Sequence, residues 1–399
     1  MPSNTLPGNM NTPGVYIHEV SGGSRPIHPV GSTTAGFVGQ SPDQQGKKIK
    51  SEDLAAHPID NWTQFKSHYF KTKNAWTNLA HAVYGFFLNG GSRCYVVDIG
   101  NSTDATGLTN GLNALATIDE IAIVAAPGFT KDTHYAAIVG HFSSNNLTDR
   151  VAILDAPQDA DDAAKLSNLD IKSAQTARGM TAMYAPWLKV DSPNPSKDKD
   201  GLTVIGETVN VPPSGHAAGI WARSDGARGV AKAPANEIVM GAVDLTHKIS
   251  AQTQTTLNNK GINAIRYFRD QGILVWGART LATDQEWRYL NVRRLFNMVE
   301  ESIGEGTRWV VFEPNDETLW AAIRRDAGAF LTDLWRQGML MGTTTDEAFY
   351  VKCDAENNPP DSIRQGRVII DIGIAPLFPT EFVVFRISQY ESGTDVEIS

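Results

Sequence analysis

Apolar positions along the chain fall into two rhythms. From residue 30 to about 255, short apolar runs alternate with stretches whose apolar residues recur every three or four positions. TTAGFVG, RCYVVDI, IAIVAAPG, RVAILDAP and TAMYAPW read as strands covered on both faces, because polar residues hardly interrupt them. Between them, Leu79, Val83 and Phe87 predict a helix over 76–88 that ends at NGG, where glycine can take the left-handed cap conformation. Leu108, Leu112 and Leu115 mark another helix, and residues 132–142 and 161–177 two more. Such alternation predicts a mostly parallel sheet with helices on both faces. DSPNPSKDKDG (191–201) reads as a solvated loop, and residues 214–250 as irregular to helical, closing this α/β domain near residue 255.

Residues 256–375 have a different texture and predict an α+β domain. INAIRYF and ILVWGAR, joined through RDQG, form an expected hairpin. Thr283 with Glu286 gives the spacing of a capping box, followed by an apolar stripe of Val292, Leu295, Phe296, Val299 and Ile303. RWVVFE is expected as a strand. The next helix carries Leu319, Ile323, Phe330 and Leu334 on one face and ends at Gly338. EAFYVKC and RVIIDIGIAP are further expected strands.

Strand-like segments also stand at both margins, in an arm over 1–29 and another over 376–399. In VYIHEV, Val15 and Ile17 oppose Tyr16, His18 and Val20, with Glu19 between. In EFVVFRISQY, Phe382 and Val384 oppose Val383, Phe385 and Ile387, with Arg386 between. Each is apolar on both faces, unlike a free solvent-facing edge. Each therefore either completes a sheet of its own chain or adds to a neighbouring molecule's sheet. The polar start and the linker SGGSRPIHPVGS give the first segment reach, since ten flexible residues span roughly 15–20 Å. Repeated head to tail, such donation is heterologous and builds a helical polymer.

Composition narrows the class. A chain of 399 residues with 41% hydrophobic content has enough apolar material for two or three cores. The formal charge of −9 argues against nucleic-acid binding. No run of about 18 apolar residues and no signal-peptide pattern appears, so no membrane insertion and a cytosolic synthesis are expected. Cys94 and Cys353 each sit in an apolar strand-like run, where a thiol behaves as a small core residue.

Chemistry is sparse. The chain has no GxxxxGKS or GxxxxGKT loop and no GxGxxG between strand and helix, so no nucleotide cofactor is expected. Nine histidines lack HxxxH or HExxH spacing and the two cysteines lack a CxxC partner, so no metal is expected either. Asp98 and His216 are the components a hydrolase would use, but no GxSxG elbow accompanies them. An α/β hydrolase with an unrecognised triad is the rival reading; a static tube or coat subunit is another. Asp155, Asp159, Asp161 and Asp162 follow a strand, where carboxylates usually cap the next helix. Arg288, Arg293 and Arg294, beside Trp287 and Tyr289, read equally as stems covering apolar helix or as an interface, as do Arg324 and Arg325 after Trp320.

TPGVYIHEV with GSTTAGFVG, AVYGFFLNGGSRCYVV, IAIVAAPG, KAPANE, INAIR, WGARTL, WRYLNVRRL, RWVVFEPND and IAPLFPTEFVVFRISQ together resemble contractile tail sheath proteins of bacteriophages and phage-tail-like particles, in the family's order from residue 12 to 388. The resemblance implies a non-enzymatic helical sheath around an inner tube, built on a baseplate, closed by a terminal cap and contracting to drive the tube through an envelope. It implies an outer domain subtilisin-like in fold but without that chemistry. It also implies an inner domain over about 256–375 that receives the arm strands VYIHEV and EFVVFRI of neighbouring subunits. Arg288, Arg293 and Arg294 are the expected tube-facing residues. Assembly in the bacterial cytoplasm, as part of a virion tail or a particle released by lysis, completes the expectation.

Overall fold

A computed structural model describes residues 26–384, except 44–46, 48, 72–74, 145–146, 161 and 198–202. In chain order the strands are β1 (Ala35–Gly39), β2 (Ala56–Ile59), β3 (Cys94–Asp98), β4 (Ile123–Ala125), β5 (Val151–Asp155), β6 (Thr181–Ala185) and β7 (Leu188–Asp191). They continue as β8 (Thr208–Val211), β9 (Glu237–Ile238), β10 (Ala242–Leu245), β11 (Ile262–Phe268), β12 (Gly272–Val275), β13 (Phe349–Lys352) and β14 (Asp371–Ile374). The helices are α1 (Trp62–Tyr69), α2 (Asn78–Leu88), α3 (Ala105–Leu115), α4 (Asp132–Ser144), α5 (Ala163–Asn168), α6 (Ser214–Arg228), α7 (Ala251–Asn259), α8 (Leu290–Gly306), α9 (Glu317–Arg336), α10 (Thr345–Ala348) and α11 (Pro360–Arg364).

Contacts divide the chain into two units. One holds residues 32–295 and the segment from 376 onward; the other holds 296–375 and the segment up to 31. The boundary falls forty residues later than the expected 255. Its physical reason is β11, which pairs parallel with β6 (Ile262 opposite Met183, Ala264 opposite Ala185) and so extends the first sheet instead of opening a second domain.

The larger unit is built on a nine-stranded sheet in the order β2-β3-β1-β4-β5-β6-β11-β12-β9. Strands β3, β1, β4, β5, β6 and β11 run parallel; β2 pairs antiparallel with β3 at one margin, and β12 antiparallel with β11 and then with β9 at the other. Successive residues of each central strand face opposite cores: Phe37, Val96 and Ile153 join α1, α2 and α6 on one side, and Val38, Val97 and Leu154 join α3, α4 and α7 on the other. That double burial is why the runs AGFVG and VAILD carry no exposed position. The helices begin where a side chain takes up a free backbone N–H: Thr77 accepts from Ala80, Asp104 from Gly107 and Ser250 from Thr253. Helices α2 and α6 approach closely enough that a Cβ on Gly215 would lie 2.2 Å from the Ala82 carbonyl oxygen, so only glycine fits there. A three-stranded antiparallel sheet, β10-β7-β8, completes this unit.

The smaller unit packs Leu319, Trp320 and Ile323 of α9 against Cys353, with Trp309, Val310, Ile363, Val368 and Ile370 around them. Its sheet has two strands, β13 and β14. Gly338 follows α9 with φ +72° and closes it as expected.

Three local expectations fail. RWVVFE forms a 3-10 turn over Arg308–Val310, after which Val311 and Phe312 stand exposed, Phe312 at φ +71°. Local bonds from Val310 N–H to Thr307 and Glu313 N–H to Val310 close the turn, leaving no backbone for a ladder. Thr283 starts no helix: Asp284 instead caps a 3-10 turn over Gln285–Trp287, and α8 begins at Leu290. Residues 161–177 hold the short α5 and a 3-10 turn over Lys172–Ala174 in place of one helix.

Candidate assembly site

The β13–β14 ribbon is an antiparallel pair with Phe349 opposite Ile374, Tyr350 opposite Gly373, Val351 opposite Ile372 and Lys352 opposite Asp371. Aromatic and β-branched residues favour the pleat. The Tyr350 ring lies over Gly373 so tightly that a Cβ there would come within 2.2 Å of Cε1. An aromatic covering a strand glycine in this way replaces the packing the glycine lacks.

Side chains hold the ribbon in shape. Buried Asn358 donates from Nδ2 to the Ile369 carbonyl at 2.9 Å and accepts from the Ile369 N–H at 2.7 Å, imitating one more rung of ladder. Asn357 Nδ2 clips the strand ends, donating to the Lys352 carbonyl and to Asp371 Oδ2, both at 3.0 Å. At the other end Ala375 N–H donates to the Ala348 carbonyl and Met341 N–H to that of Ala375, each at 2.8 Å. Arg324 donates to the Cys353 carbonyl and ties β13 to α9. Among the described residues neither strand has a second strand partner, so the ribbon is ordered yet open along both long edges.

The segment 376–384 carries no helix or strand and is fastened to the larger unit by side chains. Asn291 Nδ2 donates to the Leu377 carbonyl at 2.8 Å, Phe378 meets Tyr289 edge-on at 6.1 Å, and the Arg279 guanidinium takes both carboxylate oxygens of Glu381. Immediately beyond, Phe382, Val383 and Val384 are 73, 70 and 81% exposed. Three adjacent apolar side chains in water are an unmet demand for burial. Phe385, Arg386 and Ile387, like Val15, Tyr16, Ile17, His18, Glu19 and Val20 of the first arm, lie outside the described residues.

The arginines divide. Arg294 is buried: its Nη1 and Nη2 bind Asp225 at 2.9 and 2.6 Å, Nη2 also donates to the Ser32 carbonyl, and the guanidinium lies 4.7 Å from the Trp221 ring. Arg293 is buried as well, stacked 4.2 Å over Trp287. Both were expected at a tube-facing surface, and their burial within this subunit corrects that assignment, since neither guanidinium is presented at the surface. Arg288 is half-buried and donates to Gln285.

The hydrolase components do not converge. Asp98 accepts from Ser41 and from the Gly100 N–H, whereas buried His216 lies against Gly85 of α2 with its Nδ1 unpartnered. Burial lowers His216 to about 4, with His81 nearby adding to the effect. Asp155, raised by burial to about 6, is held by the N–H groups of Gly128 and Ser214 and by the Ser214 hydroxyl. Among the described residues no three His, Cys, Asp or Glu side chains gather as a metal site needs, and no helix is long and apolar enough to cross a membrane.

The Asn357 and Asn358 clips and the Arg279–Glu381 pair were missed at the level of sequence. The run NNPP (357–360) carried a turn signal for the first; nothing local marks an ion pair 102 residues apart.

The architecture is a largely parallel α/β unit joined in one chain to a unit with an open two-stranded ribbon. The comparisons assign that architecture to a family. The phage tail sheath central domain matches residues 102–281 and the phage tail sheath C-terminal domain residues 282–389, together well over half of the sequence; the chain belongs to the phage tail sheath family. It is similar to a putative prophage major tail sheath protein of Pseudomonas aeruginosa strain UCBPP-PA14, 27% identical over 244 residues that make up 59% of this chain and 57% of that protein. The chain thus spans little more than half of that relative, and 27% of the length of the similar tail sheath protein of Vibrio phage KVP40. Among solved structures it is similar to the helical sheath of the anti-feeding prophage in its contracted state, with a TM-score of 0.75 at 29% identity over 96% of this chain and 100% of that one.

Proposed function

We propose that the chain is the repeating subunit of a contractile sheath, joined to its neighbours by exchanged strands. In this reading Val15–Val20 of one copy and Phe382–Ile387 of another add to the open edges of a third copy's β13–β14 ribbon. The open ribbon is the observation that carries it. Two strands alone are marginal in water, and further strands would pair its free N–H and C=O groups. Exposed Phe382–Val384 would be buried by the same event.

The nine-stranded unit takes the outer position, subtilisin-like in fold and structural in role, and the unit with the ribbon takes the inner one. Inner tube, baseplate and cap proteins are the other partners, with Arg288 the remaining tube-facing candidate. Assembly takes place in the bacterial cytoplasm. Contraction then needs no chemical fuel at the subunit: the contracted lattice buries more complementary surface, and tube and baseplate hold the extended state kinetically.

Deleting residues 1–20 tests the exchange. The truncated subunit should fold, with the circular dichroism and melting of the full chain, yet form no tubes by electron microscopy. Normal tubes from it would defeat strand exchange.

A further inference from the structure

We infer that the Arg279–Glu381 ion pair is the anchor that fixes where the C-terminal arm leaves the larger unit, and so sets the length of connector available between neighbouring subunits. The inference rests on the sheath reading for its consequence, but not for its geometry.

The pair is built from the strands outward. Arg279 follows β12, and its backbone is pinned on both sides by Asn263 of β11: its N–H donates to Oδ1 at 2.7 Å and its carbonyl accepts from Nδ2 at 2.8 Å. Its Nη1 is committed to the Asn258 carbonyl at 2.8 Å, which turns the remaining fork toward Glu381. There Nε meets Oε1 at 2.9 Å and Nη2 meets Oε2, while the Tyr289 hydroxyl reaches Oε2 at 3.4 Å. The two side chains are only 11 and 16% exposed. A bidentate guanidinium–carboxylate pair fixes orientation as well as position.

What makes this an anchor is the contrast around it. The segment has no ladder of its own, so Glu381 and the two contacts at Leu377 and Phe378 are what hold it. One residue later the chain is exposed. Without Glu381 the last fixed residue would be Phe378, which frees three more residues, or roughly 10 Å of extended chain. A longer tether tolerates many separations between the copies it joins, whereas a short one admits few. Arg279 and Glu381 are therefore positioning residues for the lattice.

The test uses the full-length chain with Glu381→Ala, Glu381→Asp and Arg279→Lys. In the free subunit, the backbone amide order parameter at residues 380–382 should fall in Glu381→Ala from the roughly 0.85 of an anchored chain to below about 0.6. It should be intermediate in Glu381→Asp, which keeps the carboxylate, and in Arg279→Lys, which keeps the charge but loses the fork. In tubes formed by the same proteins, Glu381→Ala should blur the axial repeat and Glu381→Asp should recover much of it. Unchanged order parameters, or Glu381→Ala tubes with wild-type repeat and order, would overturn the anchor. If the wild-type chain formed no tubes, the sheath reading would fall, while the order-parameter measurement would still decide whether the anchor exists.

Discussion

The nine-stranded sheet and the β13–β14 ribbon treat their edges in opposite ways. The nine-stranded sheet ends in β2, which carries Pro58 and so lacks one ladder donor, and in β9, only two residues long. Short or proline-bearing margins discourage further pairing. The β13–β14 ribbon has neither device: four paired residues a side, no proline, and a half-exposed face led by Tyr350. One sheet is finished and guards its ends; the other is held rigid by Asn357 and Asn358 and left open. Where a chain spends side-chain hydrogen bonds on shaping a ribbon it does not complete, completion by another molecule is the economical reading.

That contrast can be broken from the finished side first. Arg294→Ala leaves Asp225 buried without its cation, and removing one partner of such a pair costs about 3–5 kcal/mol. Urea denaturation should record that loss in the larger unit. A surface arginine meant for a tube would instead leave stability within a few tenths of a kcal/mol.

Acid comes next and should also fall on the larger unit. Burial lowers His81, His141 and His216 to about 4 from 6.5, so between pH 6.5 and 4 the unfolded chain binds more protons than the folded one. Their contribution is therefore complete above pH 6.5 and declines as pH falls toward 4, by up to roughly 3 kcal/mol for the fully buried His216. Asp155 works against this: raised to about 6 from 3.8, it stays protonated in the fold where the unfolded chain has ionised, which favours the fold as pH drops from 6 to 3.8. Three histidines against one aspartate leave a net loss. Residues 296–375 contain no histidine. Amide exchange at pH 7 and pH 5 should thus show weakened protection in the nine-stranded sheet and little change in α9 and the ribbon.

The open side gives smaller effects. Asn358→Ala strands the Ile369 amide and carbonyl, an expected loss of about 1–3 kcal/mol confined to the ribbon and α11. Tyr350→Ala uncovers Gly373 and should cost at most about 1 kcal/mol in the free subunit. If the ribbon is completed on assembly, the same change should lower tube yield more than that stability loss predicts; equal losses would argue that Tyr350 serves only its own chain.

How much of this was legible in the sequence follows from where burial is local. Runs such as RVAILDAP announce doubly covered parallel strands, and Leu319, Ile323, Phe330 and Leu334 announce the inner face of α9, because each pattern is read within one element. WVVF looked equally apolar and failed, since a strand also needs a partner and local turn bonds took its backbone. The domain boundary failed because β11 answers to β6, some eighty residues earlier. Arg293 and Arg294 were misplaced because nothing in NVRRL shows that Trp287, Trp221 and Asp225 close over them. The arms read as strands in the sequence, but residues 381–384 form no strand within this chain and the rest lie outside the described residues.

The most direct test is a cryo-electron microscopy map of the assembled particle at side-chain resolution. The account predicts a sheet of four strands at β13–β14, with Val15–Val20 and Phe382–Ile387 arriving from two other copies. A ribbon still two strands wide, or arms laid on their own subunit, would contradict it.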